Sequence, residues 1–143
     1  MKPLEAFLEI DKFIFKSRAS EEVHIKSAIG ALGIRTDGAI IKSVNGSIRN
    51  GYAQSNATYS QTLAKSSIYH AEGRLLRKID SGAVVYVSRR LRNADNIWGM
   101  ARPCERCQPN LKAYRVYKCF YTIDNQYYGI YFPQTDSDKI CEF

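Results

Sequence analysis

Two short segments, separated by residues 73–102, place the tightest constraint on how this chain folds. The first is His70-Ala71-Glu72, and the second is Pro103-Cys104-Glu105-Arg106-Cys107. Together they supply one imidazole, one carboxylate and two thiols, a set that holds Zn²⁺ with three protein ligands and an open fourth position. The chain has only two histidines and four cysteines, so few arrangements of this kind arise by accident.

The spacing within each segment suits this chemistry. Cys104 and Cys107 stand at i and i+3, so a helix that begins at Pro103 would present both sulfurs on one side of its first turn. The positive end of that helix would also favour the thiolate forms. His70 would begin a second helix and offer its neutral ring from the facing side. Water would fill the fourth position, and Glu72 would act on it first as a base and then as an acid, the two roles that hydrolytic deamination requires.

The stretch from His70 to Leu76, followed by Pro103 to Leu111, resembles the zinc-binding region of the cytidine and deoxycytidylate deaminase superfamily. A weaker resemblance extends from about Gly38 to Thr122. It implies a three-layer α-β-α fold of the cytidine-deaminase type and a Zn²⁺ cofactor. His70, Cys104 and Cys107 would then be the metal ligands, and Glu72 would be the catalytic proton carrier.

The same resemblance implies contacts with a substrate. Ala71 would lie against the base, with its backbone N–H towards the pyrimidine oxygen. The carbonyl of Ala101 or Arg102 would receive the departing amine, and Asn56 is similar to an asparagine that contacts the sugar. The histidine at position 70 is typical of deoxycytidylate and tRNA-adenosine deaminases, since free cytidine deaminases usually carry cysteine there. The short Asp124-Asn125 turn, which would make the last two strands an antiparallel hairpin, looks more like the cytidine-deaminase branch. The substrate subclass therefore stays open.

The periodicity of apolar residues predicts an α/β protein with helices on both faces of a mixed sheet of about five strands. The predicted helices span 4–15, 20–32, 71–81 and 104–115. The predicted strands span 38–44, 47–53, 83–87, 116–122 and 126–132. Asn45-Gly46 and Asp124-Asn125 are the predicted hairpin turns, and the second makes the last two strands an antiparallel hairpin.

A basic connection between the strand at 83–87 and the thiols predicts contacts with substrate. Its arginines, with one just beyond it, are Arg89, Arg90, Arg92, Arg102 and Arg106. Trp98 and Tyr59 are expected to flank the same opening. Guanidinium and aromatic groups together can bind a phosphate and stack on a base, either of one nucleotide or of a single strand. From this set Trp98, Arg90 and Arg102 are the predicted substrate-binding residues, and a solvated basic loop is the alternative.

Composition fits one globular domain over residues 1–143, with 45% hydrophobic and 24% charged residues and a net charge of +7. No apolar run is long enough for a membrane span, and the acidic residue in Met1-Lys2-Pro3-Leu4-Glu5 does not fit a secretion signal, so the expected localisation is cytoplasmic. Four cysteines in such a chain favour thiol or metal chemistry over disulfides. Cys119 is predicted to be a packed strand residue, Cys141 a free thiol and His24 a surface residue.

The predicted function is that of a zinc-dependent hydrolase, a deaminase that converts cytosine to uracil in a free nucleoside or nucleotide. One alternative is a deaminase of cytosine or adenine in single-stranded DNA or RNA. Another is a catalytically inactive, zinc-stabilised relative that binds nucleic acid. The expected partner is thus a small nucleoside or nucleotide and no membrane, with single-stranded nucleic acid and a homo-oligomer left open.

Overall fold

The computed structural model describes residues 1–17, 27–44, 75–91 and 97–143, which form one mixed seven-stranded sheet and two helices. Helix α1 spans Pro3–Ser17, and helix α2 spans Gln108–Ala113. The strands are β1 (Ser27–Ile34), β2 (Ile40–Val44), β3 (Val84–Leu91), β4 (Trp98–Gly99), β5 (Lys118–Thr122), β6 (Tyr127–Phe132) and β7 (Ser137–Glu142). Their order is β2-β1-β3-β5-β6-β7, and β4 pairs with β3. The predicted α/β class is confirmed.

Strand β3 lies in the middle of the sheet and carries its one parallel pairing among the described strands. It runs antiparallel to β1 and β4 and parallel to β5. The run of apolar residues at 83–87 predicted a buried central strand, and this prediction is correct. The carboxyl ends of β3 and β5 therefore meet at one edge of the sheet, the edge at which α/β proteins place their ligands.

The two faces of the sheet carry different clusters. Val85 and Val87 pack with Ala101 and Leu111 in what we call the α2-side cluster. Tyr86 points the other way and packs with Phe7 and Trp98 in the α1-side cluster. This alternation follows from the two-residue period of a strand. Helices therefore cover both faces, as the sequence predicts.

Helix α1 confirms the first predicted helix, and it packs very closely on the sheet. Pro3 stands at its start, where the missing N–H removes no helical hydrogen bond. Phe7, Ile10 and Ile14 are fully buried on one side of the helix. A Cβ at Gly30 of β1 would lie 2.4 Å from Ile10 Cγ2, so only glycine permits this approach.

The second predicted helix, over 20–32, is wrong where the structure describes it. Residues 27–34 form β1, which pairs with β2 on one side and β3 on the other. Hydrogen bonding to two neighbours and burial under α1 outweigh the local helical pattern. The first observed hairpin therefore joins β1 to β2, with Gly38 at φ 91° in its turn. The hairpin predicted at Asn45-Gly46, its second strand 47–53 and His24 lie outside the described residues.

The carboxyl-terminal hairpin is confirmed and then extended. Strands β5 and β6 pair antiparallel, with Cys119 opposite Tyr131. Asp124 Oδ1 accepts the N–H groups of Gln126 and Tyr127, both at 2.8 Å, which fixes the turn between them. The prediction of about five strands is too low for the described residues, because it included none of β1, β4 and β7.

Candidate metal centre at Cys104 and Cys107

The two thiols of the second segment lie side by side. Cys104 Sγ and Cys107 Sγ are 3.5 Å apart, and both cysteines are unbridged. This separation is far longer than a disulfide bond of about 2.05 Å. It is close to the roughly 3.8 Å that two sulfurs span when each lies about 2.3 Å from a tetrahedral zinc ion. The separation suits a hydrogen bond between the two thiols, and two ligands of one zinc ion would stand at a similar distance.

A tight backbone turn holds this pair. Cys107 N–H donates to the Cys104 carbonyl at 2.9 Å, and Gln108 N–H donates to the same oxygen at 3.0 Å. The Gln108 side chain donates to the Pro103 carbonyl at 2.7 Å, and Pro103 is buried. The helix predicted to begin at Pro103 begins only at Gln108. The i, i+3 relation survives because the turn, like a helix, brings Cys104 and Cys107 to the same side.

The thiols follow a segment that is bonded to the carboxyl ends of the two parallel strands. Ala101 N–H donates to the Thr122 carbonyl at 2.9 Å, and Thr122 Oγ1 donates to the Gly99 carbonyl at 2.8 Å. Thr122 Oγ1 also accepts the Arg89 N–H at 3.2 Å. A single buried threonine thus connects the end of β3, the end of β5 and the segment that leads to Cys104.

Arg102, immediately before Pro103, has a partner within the protein. Its guanidinium donates to Asp138 on β7 through Nη2 at 2.8 Å and Nε at 3.1 Å. It also lies over the ring of Tyr131, 5.3 Å from the centroid. The hydrogen bond to Asp138 raises the pKa of the Arg102 guanidinium above its ordinary value. Arg102 therefore ties the thiol segment to β7.

Two tyrosines complete this contact. Tyr121 Oη donates to Asp138 Oδ1 at 3.0 Å, and Tyr131 Oη donates to Asp136 Oδ1 at 2.7 Å. Burial, followed by the hydrogen bond to Asp138, raises the pKa of Tyr121 to about 12. Burial and the hydrogen bond to Asp136 raise the pKa of Tyr131 to about 12 as well. Both phenols are neutral hydrogen-bond donors at neutral pH.

Trp98 and Arg90 lie on the face of the sheet opposite the α2-side cluster. Trp98 is only 8% exposed, and its indole packs 5.7 Å from the ring of Phe7. Its Nε1–H donates to Asp11 of α1 at 3.1 Å, and Arg90 Nη1 donates to the same carboxylate at 3.1 Å. Burial raises the pKa of Asp11, although both hydrogen bonds oppose this effect. The structure thus assigns both residues to internal packing and does not bring them together with the thiols.

The remaining predicted site residues, His70, Ala71, Glu72 and Asn56, lie outside the described residues. Within the described ranges, no three side chains of His, Cys, Asp or Glu are grouped so that they could hold a metal ion. Cys119 is fully buried in the α2-side cluster, as predicted, and Cys141 on β7 is half-buried and unbridged.

A groove of about 530 Å³ lies on the other face, between α1 and the hairpin of β1 and β2. Leu8, Leu32 and Ile40 line it together with Glu9 and Lys42. Among the described residues that line it there is no cysteine or histidine, and Met1 contributes a thioether, which is a soft donor.

Sequence reasoning overlooked Asp138, Asp11 and Thr122. Asp138 lies on β7, whose residues Ser137–Glu142 are mostly exposed and show no clear apolar alternation. Asp11 stands within a helical pattern, where a surface position is the ordinary expectation. Their partners are distant in sequence, so no local pattern could have identified them.

No known protein family matches the chain, and no curated protein matches it in sequence. None of the helices in the described part of the chain is both long and apolar enough to cross a membrane.

Proposed function

We propose that the protein is a zinc-dependent hydrolase that deaminates cytosine to uracil in a free nucleoside or nucleotide. The observation that best supports this proposal is the pair of unbridged sulfurs on Cys104 and Cys107, which lie 3.5 Å apart. The proposal joins this geometry to the resemblance of both segments to the cytidine and deoxycytidylate deaminase superfamily. His70 would be the third ligand of the metal ion.

Packing around the first segment supports the proposal. Leu75 and Leu76, which follow Glu72 by three and four residues, are buried in the α2-side cluster together with Ala101 and Leu111. The chain just after the first segment therefore packs on the face that also receives the chain on either side of the thiols. A Cys₂His site assembled from the two segments requires this proximity.

The arrangement of the sheet supports it as well. The thiols come after the central strand β3 and before β5, its parallel neighbour. Beyond them, β5 and β6 form the antiparallel hairpin expected of the cytidine-deaminase branch. The three-layer cytidine-deaminase fold is thus the finer description that we propose for this α/β protein.

In the proposed mechanism the residues of the chain bind and position the substrate and transfer a proton. Cys104, Cys107 and His70 would hold zinc, which when bound would acidify a water molecule for attack on the base. Glu72 would carry the proton from that water to the base and then to the leaving amine. The carbonyl of Ala101 or Arg102 would accept the departing amine, and Ala71 and Asn56 would bind the base and sugar.

Ammonia release from a panel of substrates tests the proposal. The panel contains cytidine, deoxycytidine, their monophosphates, adenosine and single-stranded DNA, and zinc content is measured on the same preparation. We expect about one zinc per chain and turnover of at least one free cytosine compound. Absence of zinc from carefully purified protein would refute the metal centre. Turnover of DNA alone, with a steep dependence on salt, would favour the polynucleotide alternative.

The variant Glu72→Gln separates chemistry from folding. It removes the proton carrier but no metal ligand, so we expect full zinc content and a fall in kcat of about 10²- to 10⁴-fold. Glu5→Gln is the matched control, because Glu5 is exposed on α1. Turnover of Glu72→Gln within a few-fold of wild type would exclude Glu72 as the proton carrier.

A further inference from the structure

Arg89 extends from β3 on the face that carries the α2-side cluster. Side chains alternate along a strand, and Val85 and Val87 both belong to that cluster. Arg89 pairs with Gly99 of β4, and a Cβ at Gly99 would lie 3.4 Å from Arg89 Cδ. The aliphatic part of Arg89 therefore passes beside Gly99, which precedes Cys104 by five residues.

Arg89 differs from the two arginines that the sequence assigns to substrate. Arg90 pairs with Asp11 and Arg102 with Asp138, so each has an internal carboxylate. Arg89 is half-buried, and its Nε is buried without a hydrogen-bond partner among the described residues. Removing a charged donor from water without an acceptor is unfavourable, and an anionic ligand would offset that loss.

The backbone places Arg89 beside the segment that leads to the candidate site. Thr122 accepts the Arg89 N–H through Oγ1 and the Ala101 N–H through its carbonyl. Arg89 and Ala101 are thus attached to the same residue at the carboxyl end of β5. An extended arginine side chain from this position lies on the same face as the segment that leads to Cys104.

We propose that Arg89 binds the phosphate group of a cytosine nucleotide, which makes a monophosphate rather than a nucleoside the preferred substrate. This inference rests on the proposed function for the identity of the base. Phosphate is the anionic group of a nucleotide, and the planar guanidinium fork binds phosphate oxygens in pairs. Arg89 would thus take the role that the sequence predicts for Arg90 and Arg102, whose guanidinium groups bind carboxylates of the protein.

Calorimetric titration of the zinc-loaded protein with uridine 5′-monophosphate and with uridine tests the inference. Both ligands are products of the proposed reaction, so their binding does not depend on turnover. Wild type should bind the monophosphate at least about tenfold more tightly than uridine. Arg89→Gln should weaken binding of the monophosphate by about 10- to 100-fold and leave uridine unchanged. Lys12→Gln, which removes an equal charge from the other face, should behave as wild type.

Arg89→Lys provides a second measurement if Arg89→Gln does not fold. Lysine keeps the charge but not the paired donors, so we expect intermediate affinity for the monophosphate. Equal affinity of wild type for the monophosphate and uridine would overturn the inference without any variant. Unchanged monophosphate binding in Arg89→Gln would also overturn it.

Two further outcomes separate this inference from the proposed function. Binding of the monophosphate that depends on Arg89, in a protein that releases no ammonia from any substrate, would support the phosphate site and refute the deaminase. Tight binding of single-stranded DNA with no binding of mononucleotides would overturn the monophosphate assignment in favour of a polymer backbone.

Discussion

The variant Asp138→Asn removes the charge that attaches the thiol segment to β7, and its effect can be estimated from the contacts. The ion pair with Arg102 is partly solvated, with side chains 39% and 27% exposed, so we assign it at most about 1 kcal/mol. The Tyr121 hydrogen bond to the carboxylate adds about 1 kcal/mol, because asparagine keeps an oxygen and only the charge assistance is lost. The expected loss of unfolding free energy is about 1–2 kcal/mol.

Thermal unfolding followed by circular dichroism measures this loss. For a domain of this size, 1 kcal/mol corresponds to a Tm change of about 3–4 °C, so we expect a decrease of about 3–8 °C. The control is Glu142→Gln on the same strand, an exposed side chain whose loss should change stability by less than about 0.5 kcal/mol. High salt should reduce the difference between Asp138→Asn and wild type. A decrease of less than about 1 °C would refute the claim that Asp138 anchors the segment.

Three other predictions follow from the described contacts. Cys107→Ser should abolish stoichiometric zinc binding in elemental analysis, whereas Cys141→Ser should retain it; full zinc content in Cys107→Ser would exclude this ligand. Gly129→Ala should lower the free energy of unfolding in urea by about 1–3 kcal/mol, because its Cβ would lie 2.1 Å from Tyr121 Cζ; an unchanged midpoint would contradict that packing. The pKa of Tyr121 is raised to about 12 in the folded protein, so the neutral phenol stabilises the fold fully below about pH 10, and this stability is lost as the pH rises through about 12. The free energy of unfolding of Tyr121→Phe should therefore fall less steeply with pH in that window than that of wild type. Equal slopes would refute the role of the phenol.

Local features of the sequence correctly predicted several elements of the fold. The apolar spacing of α1, the continuous apolar run of β3 and the Asp124-Asn125 turn each depend on neighbours within a few residues. The prediction that Cys104 and Cys107 lie on one side also holds, although the helix begins later than expected. One hydrogen-bonded turn suffices to bring the two sulfurs together. Apolar spacing and turn residues predict such features because the geometry depends only on residues close together in the sequence.

Only the tertiary structure decided what residues 27–34 become and which guanidinium, that of Arg89 or that of Arg90, pairs with Asp11. Strand β1 forms because β2, β3 and α1 all contact it, and β3 is distant from it in sequence. Arg89 and Arg90 are adjacent in sequence but extend to opposite faces of β3, so Asp11 of α1 can pair with only one of them. The partner of a charged side chain depends on which distant element packs against its face of the sheet. Composition alone therefore does not predict that partner.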